Sequence, residues 1–176
     1  MNTRSLFFTA FAITLFVSPL AHAKDDFVGT FGNWHVQTYV EGGSKVCLMW
    51  SQPEKSKGKY KRRGDIYAYV TQRPAAKRLN EISISIGYKF KKGSALSVLI
   101  GKSKHTMLTD GDTAWNRKPL DDAKMVKAMR AGAKMTLRGT SSRGTKTTDE
   151  FSLKGFTKAY AAMNQKCGIG KKKKKS

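Results

Sequence analysis

The chain has 176 residues, with 34 lysines and arginines against 12 aspartates and glutamates, a formal net charge of +22 and a pI near 10.2. That length suits one domain with a real core, and two cysteines allow one intramolecular disulfide. The charge makes the protein repel itself and concentrates it against anionic surfaces, with an attraction that falls as salt rises.

In chain order, Met1–Ala23 reads as a secretory leader. Arg4 is its positive end, Leu6–Val17 its apolar stretch and Ala21-His22-Ala23 a small-x-small cleavage site. Cleavage leaves roughly 150 residues beginning at Lys24, which folds outside the cytosol. The apolar stretch is shorter than the ~20 residues a bilayer span needs, and no later run approaches that length. The predicted organisation is a leader over 1–23, one domain over 24–168 and a basic tail over 169–176.

Apolar and polar residues alternate through the first half of that domain, and Ile82-Ser83-Ile84-Ser85-Ile86 has the clean period of two of a half-buried strand. Further strands are predicted at Trp34–Tyr39, Val46–Ser51, Ile66–Thr71, Leu96–Ile100 and Lys104–Thr109. They are separated by Gly42-Gly43, Pro53 with Gly58, Pro74, Gly93 and Gly101. Asp110-Gly111, between Met107-Leu108 and Ala114-Trp115, suits a tight hairpin. Pro119 and Asp121-Asp122 open a helix whose apolar face is Met125, Val126 and Met129 and which Gly132 follows. Met135–Arg138 and Thr148–Leu153 then form two strands around a Gly139–Thr145 loop. A second helix over 155–166 places Phe156, Ala159, Tyr160, Met163 and Cys167 on one face. Strands at this spacing predict a mainly β fold, an antiparallel sandwich or partly closed barrel with two short peripheral helices.

In an oxidising compartment Cys47 and Cys167 pair, pinning the last helix onto an early strand. Closing a loop of this length removes about 4 to 5 kcal/mol of unfolded-chain entropy.

Charge is concentrated in two places. Lys55, Lys57, Lys59, Lys61, Arg62 and Arg63, with Tyr60 among them, read as an exposed basic loop. Lys171, Lys172, Lys173, Lys174 and Lys175 cannot pack against one another and form a solvated tail. Both groups are candidate contacts for an anion. Specific nucleic-acid recognition is disfavoured because no recognition motif accompanies the charge.

The remaining motifs are weaker. Arg63-Gly64-Asp65 spells an adhesive tripeptide, but Gly64 equally serves a turn into a strand. Gly101-Lys102-Ser103 resembles the end of a phosphate-binding loop, yet Leu96 stands where its first glycine belongs and a strand follows. Asp110 and Asp112 are turn residues lacking the other oxygens of a calcium loop. His35 and His105 have no metal-ligand spacing, and no nucleophile motif accompanies the many serines and threonines. No catalytic residue, metal site or cofactor is implied.

Taken together, Phe31-Gly32-Asn33-Trp34, Val46-Cys47, Arg73-Pro74, Thr109-Asp110-Gly111-Asp112-Thr113-Ala114-Trp115, the Gly139–Thr145 loop, Ser152-Leu153-Lys154-Gly155-Phe156 and Cys167 resemble the invasion-associated locus B family of exported bacterial proteins. The resemblance runs from about residue 31 to 168. It implies a periplasmic or surface-associated, mainly β protein of α-proteobacteria, some of whose relatives are linked to host-cell invasion, and it carries no catalytic residues to transfer. Several members have a further cysteine where this chain has Thr38.

The leading expectation is a noncatalytic exported protein that binds an anionic envelope lipid, polysaccharide or host component through the lysines and arginines named above. The alternative is a protein-binding inhibitor or adhesion module that engages a host or bacterial protein through the Gly139–Thr145 or Arg63–Asp65 loop. An enzyme with scattered catalytic groups stands third and requires a concave pocket of clustered titratable residues.

Overall fold

A computed structural model describes residues 26–170. The leader and Lys171–Lys175 lie outside the described residues. The strands are β1 (Asp26–Phe31), β2 (Trp34–Glu41), β3 (Ser44–Ser51), β4 (Lys55–Gly58), β5 (Tyr67–Arg73), β6 (Arg78–Ser85), β7 (Leu96–Ile100), β8 (Ser103–Asp110), β9 (Thr113–Trp115), β10 (Lys134–Thr140) and β11 (Lys146–Ser152). The helices are α1 (Pro119–Ala131) and α2 (Phe156–Lys166).

All eleven strands form one antiparallel sheet in the order β1-β2-β3-β5-β6-β9-β8-β7-β10-β11-β4. It is sandwich-like because β8 changes partners midway. Ser103–Met107 pair with β7, whereas Leu108–Asp110 pair with β9. A strand shared in this way turns a corner between two half-sheets, and their inner faces bury one hydrophobic core.

The alternating pattern accounts for that core. Along β2, Trp34, Val36 and Thr38 point inward and are buried, while His35, Gln37 and Tyr39 lie half-exposed on the outer face. Met49, Val70, Ile84 and Ala114 continue the inner face across the first half-sheet. Leu96, Val98, Met107, Met135, Leu137 and Phe151 supply it from the second. The two helices lie where their apolar faces predict. Met125, Val126 and Met129 of α1 and Phe156, Ala159 and Met163 of α2 are buried. Trp34 and Phe156 meet edge-to-face with centroids 4.8 Å apart, a contact worth about 1 kcal/mol beyond burial. Cys47 and Cys167 form the disulfide, with Cα atoms 6.0 Å apart and 120 residues between them in sequence.

The half-sheets are also fastened along a seam opposite the β8 corner. The Trp34 indole N–H donates to the Ser152 carbonyl at 3.1 Å, and the Asn33 backbone N–H donates to Lys154 O at 3.1 Å. The turns meet so closely that Gly32 and Gly155, both at positive φ, touch each other's neighbours. A Cβ on Gly155 would overlap Phe31 O, and one on Gly32 would lie 2.5 Å from Lys154 O. Two sequence motifs separated by more than a hundred residues therefore form one contact.

Two elements depart from the sequence expectation. Asp26–Phe31 is an edge strand, although its pattern is too irregular to show one, with a register shift between Phe27 and Gly29. Lys55–Gly58 is an edge strand on β11 rather than a loop. Its lysines leave it poor in apolar residues, so it lacks a strand's period, and charge of this kind on an edge opposes pairing with another chain.

A cationic cleft between three loops

Three segments converge beyond β4 and the β10–β11 hairpin: the loop over 59–66, the link over 86–92 and the hairpin tip over 141–145. They are held by specific bonds. Arg63 places its two terminal nitrogens on Asp149 of β11, Nη1 to Oδ1 and Nη2 to Oδ2, each at 2.7 Å. Its Nε donates to the Ile86 carbonyl at 2.9 Å. The guanidinium lies over the rings of Tyr88 and Tyr60, 4.9 and 5.5 Å from their centroids. Burial opposes the charge on Arg63, but the bonds to Asp149 outweigh it and raise the guanidinium pKa further.

Tyr88 shares a hydrogen bond with Thr147 Oγ1 at 2.7 Å, and its hydroxyl occupies the space a side chain at Gly139 would need. Burial pushes the Tyr88 phenol upward, partly offset by that hydrogen bond and by Arg63. The hairpin tip is tied down as well. Ser142 N–H donates to Lys89 O at 2.7 Å, Lys91 N–H to Thr140 O at 2.9 Å, and Ser141 Oγ accepts from Thr145 N–H at 3.1 Å.

The result is a cleft of about 630 Å³ with Lys59, Lys61, Arg62, Lys89 and Arg143 on its walls. Between them stand Tyr60, Tyr88, Ser141, Ser142, Thr145 and Thr147. Among the described residues no carboxylate lines it. A second hollow of about 580 Å³ adjoins through Lys89 and Ser142 and adds Lys91 and Lys92, with Asp110 also in its lining. Such a surface offers charge-assisted donors and hydroxyls to phosphate, sulfate or carboxylate groups.

The predicted contact residues divide. Lys59, Lys61 and Arg62 line the cleft. Lys55 and Lys57 lie exposed on β4, outside it. Arg63 is a correction: its side chain is 4% exposed and each of its three guanidinium nitrogens bonds inside the protein, so it is an anchor rather than a contact. The Arg63-Gly64-Asp65 tripeptide accordingly does not present its arginine to a partner. Lys171–Lys175 fall outside the described residues. Lys89 and Arg143 were missed because they lie far along the chain from the 55–63 run, Lys89 in the separate short cluster Lys89-Phe90-Lys91-Lys92 and Arg143 as a single charge in its loop. Arg143 sits in the loop singled out for its shape, and only the hairpin brings that loop against Lys61.

The other sequence candidates resolve as local structure. Asp110 accepts from Gly111 N–H and Asp112 from the Thr113 hydroxyl, both within the β8–β9 turn. Among the described residues no three His, Cys, Asp or Glu side chains cluster in a way that could hold a metal ion.

Fold and cleft together define a disulfide-bridged, β-sandwich-like domain with a concave cationic surface. Residues 34–164 match the family model described as Invasion associated locus B (IalB) protein, and the chain belongs to that family. The crystal structure of invasion associated protein b from Bartonella henselae shares the fold. It aligns with a TM-score of 0.56 at 16% identity, covering 80% of this chain and 96% of that one. No curated protein matches the chain.

Proposed function

We propose that this is a noncatalytic exported protein that captures an acidic component of the bacterial envelope or a host surface in the cationic cleft. The carrying observation is the convergence of Lys59, Lys61, Arg62, Lys89 and Arg143 from three separate segments around a hollow that no carboxylate lines among the described residues. A solubilising excess of lysine has no need to be concave. The buried Arg63–Asp149 pair further supports the reading, because it holds the 59–62 segment in place from beneath. Family membership and the disulfide support export, and the family's description supports a link to invasion.

The test uses protein lacking residues 169–176, so that the lysine tail contributes nothing. It is titrated with vesicles containing anionic phospholipid, with zwitterionic vesicles and with an acidic polysaccharide. The reading predicts binding to an anionic probe that weakens at least about tenfold between low and half-molar salt, where the Debye length falls to a few ångströms. Combined Lys61→Glu and Arg143→Glu substitution abolishes it. Salt-insensitive binding, or anionic binding that both glutamates leave intact, refutes the assignment to the cleft. Equal binding to zwitterionic vesicles refutes the anionic reading itself.

A further inference from the structure

The outer face of the first half-sheet has a different chemistry. Cross-strand register sets His35, Trp50, Tyr69, Ser83 and Trp115 opposite one another on β2, β3, β5, β6 and β9. Residues in direct register share a face, and their chain neighbours Trp34, Met49, Ala68, Ile84 and Ala114 fill the core. His35 stacks on Trp50 with centroids 5.2 Å apart, and Tyr69 stacks on Tyr67 at 5.6 Å. Phe27, 62% exposed on the edge strand, meets Trp50 edge-on at 6.5 Å. Trp115 is 38% exposed at the other end. The helices pack on the other side of the sheet: their principal contacts with it are to β1, β2, β3 and β6, through Phe156, Ala159 and Met163 of α2 and Met125 and Met129 of α1 in the core.

This row contains no lysine, arginine, aspartate or glutamate, in a chain with 34 lysines and arginines. The arginines that flank the row are each bonded to glutamates. Arg73 bonds Glu41 and Glu81 at 2.9 and 2.7 Å, and Arg78 bonds Glu81 at 2.6 Å. Asp65 borders Tyr69 from the loop side. An acidic polymer finds no cation along the row. A dry apolar partner would bury the Ser83 and Tyr69 hydroxyls without supplying them hydrogen-bond partners, which is costly. Flat ring faces interleaved with uncharged hydrogen-bonding groups suit a ligand whose own faces are C–H and whose rim is hydroxyl. Trp50 and Trp115 stand three strand spacings apart, about 14 Å, the span of an oligosaccharide rather than a single sugar.

We propose that the row His35–Trp50–Tyr69–Ser83–Trp115 is a second ligand surface, separate from the cationic cleft, which binds an uncharged glycan chain lying across the strands. The inference is independent of the cleft and of what occupies it.

The chain's three tryptophans supply the readout. Trp34 is buried and hydrogen-bonded to Ser152 O, whereas Trp50 and Trp115 lie on the row. Protein with ¹⁵N-labelled indoles is titrated with uncharged hexasaccharides of glucose and of N-acetylglucosamine. The expected result is that the Trp50 and Trp115 indole signals move with saturation while Trp34 stays fixed, at a midpoint unchanged in about half-molar salt. Trp115→Ala should weaken the midpoint about tenfold, the loss of one ring contact, with Trp115→Phe recovering most of it. Absence of movement with both saccharides at millimolar concentration overturns the proposal, as does an affinity that Trp115→Ala leaves unchanged. Movement that follows protein concentration alone, with dimers in light scattering, assigns the face to a second copy and equally overturns it. The wild-type titration requires no substitution, so it decides the question even if a tryptophan variant fails to fold.

Discussion

Removing Arg63 tests the structural core of the cleft. Its guanidinium makes two 2.7 Å bonds to Asp149, whose side chain is fully buried, and one 2.9 Å bond to the Ile86 carbonyl. Arg63→Met keeps the length of the side chain but leaves the Asp149 carboxylate unpaired away from water. Breaking a buried pair in this way costs about 3–5 kcal/mol. At roughly 2–4 °C per kcal/mol for a domain of this size, the melting temperature should fall by about 10 °C. Asp149→Leu, which strands the arginine instead, should cost a similar amount. The double variant removes both charges and should recover most of the loss, leaving about 1–3 kcal/mol for the Ile86 carbonyl that no longer receives Nε–H. Urea unfolding of the four proteins with the disulfide intact measures the cycle. If either single variant costs less than about 1 kcal/mol, or the double is no more stable than the worse single, the pair does not anchor the loop and the account of the cleft fails.

Reducing the disulfide, or replacing Cys47 and Cys167 by serine, frees a loop spanning 120 residues of sequence separation. Unfolding stability should drop by about 4–5 kcal/mol, and a urea midpoint unaffected by reductant would contradict the pairing. Gly155→Ala should be among the most damaging single-methyl additions, because φ is +89° and the new Cβ would overlap Phe31 O; expression and melting temperature report it, and a wild-type melting temperature would show that the Gly32–Gly155 contact is not tight. Asp122 is buried at the start of α1, where its carboxylate accepts from Ile82 N–H at 3.1 Å and Asn116 Nδ2 at 2.9 Å. Desolvation raises its pKa above 3.8 against those bonds, so the folded state holds the proton more tightly than the unfolded one and stability declines as pH rises from about 3.8 through the folded value. Asp122→Asn keeps an acceptor and should remove that decline, which paired urea midpoints at pH 4 and 7 would reveal. His105 has the opposite sign: burial lowers its pKa below 6.5 and Nε2 has no hydrogen-bond partner among the described residues, so stability is lost as pH falls below 6.5 through the folded value. His105→Gln should flatten that acid limb, and an unchanged limb would mean another group titrates there.

Local pattern in the sequence was sufficient for most of the framework. A period of two marks β2, β3, β5, β6 and β7, because one face of each meets the core and the other does not. The apolar stripes of Met125–Met129 and Phe156–Met163 mark both helices, and two cysteines have one way to pair. What a short window cannot contain is the identity of a distant neighbour. Arg63 looks like its exposed neighbour Arg62 until strand pairing delivers Asp149, 86 residues later, beneath it. Lys89 and Arg143 join the basic segment only because the hairpin tip folds against the link from β6. The aromatic row is equally invisible along the chain, since its members lie on five strands and share a face through register alone. Alternation is a property of the backbone's own geometry and is written in consecutive residues. Whether a charge becomes an anchor, a contact or a solvated end depends on long-range pairing, and the folded chain alone decides that.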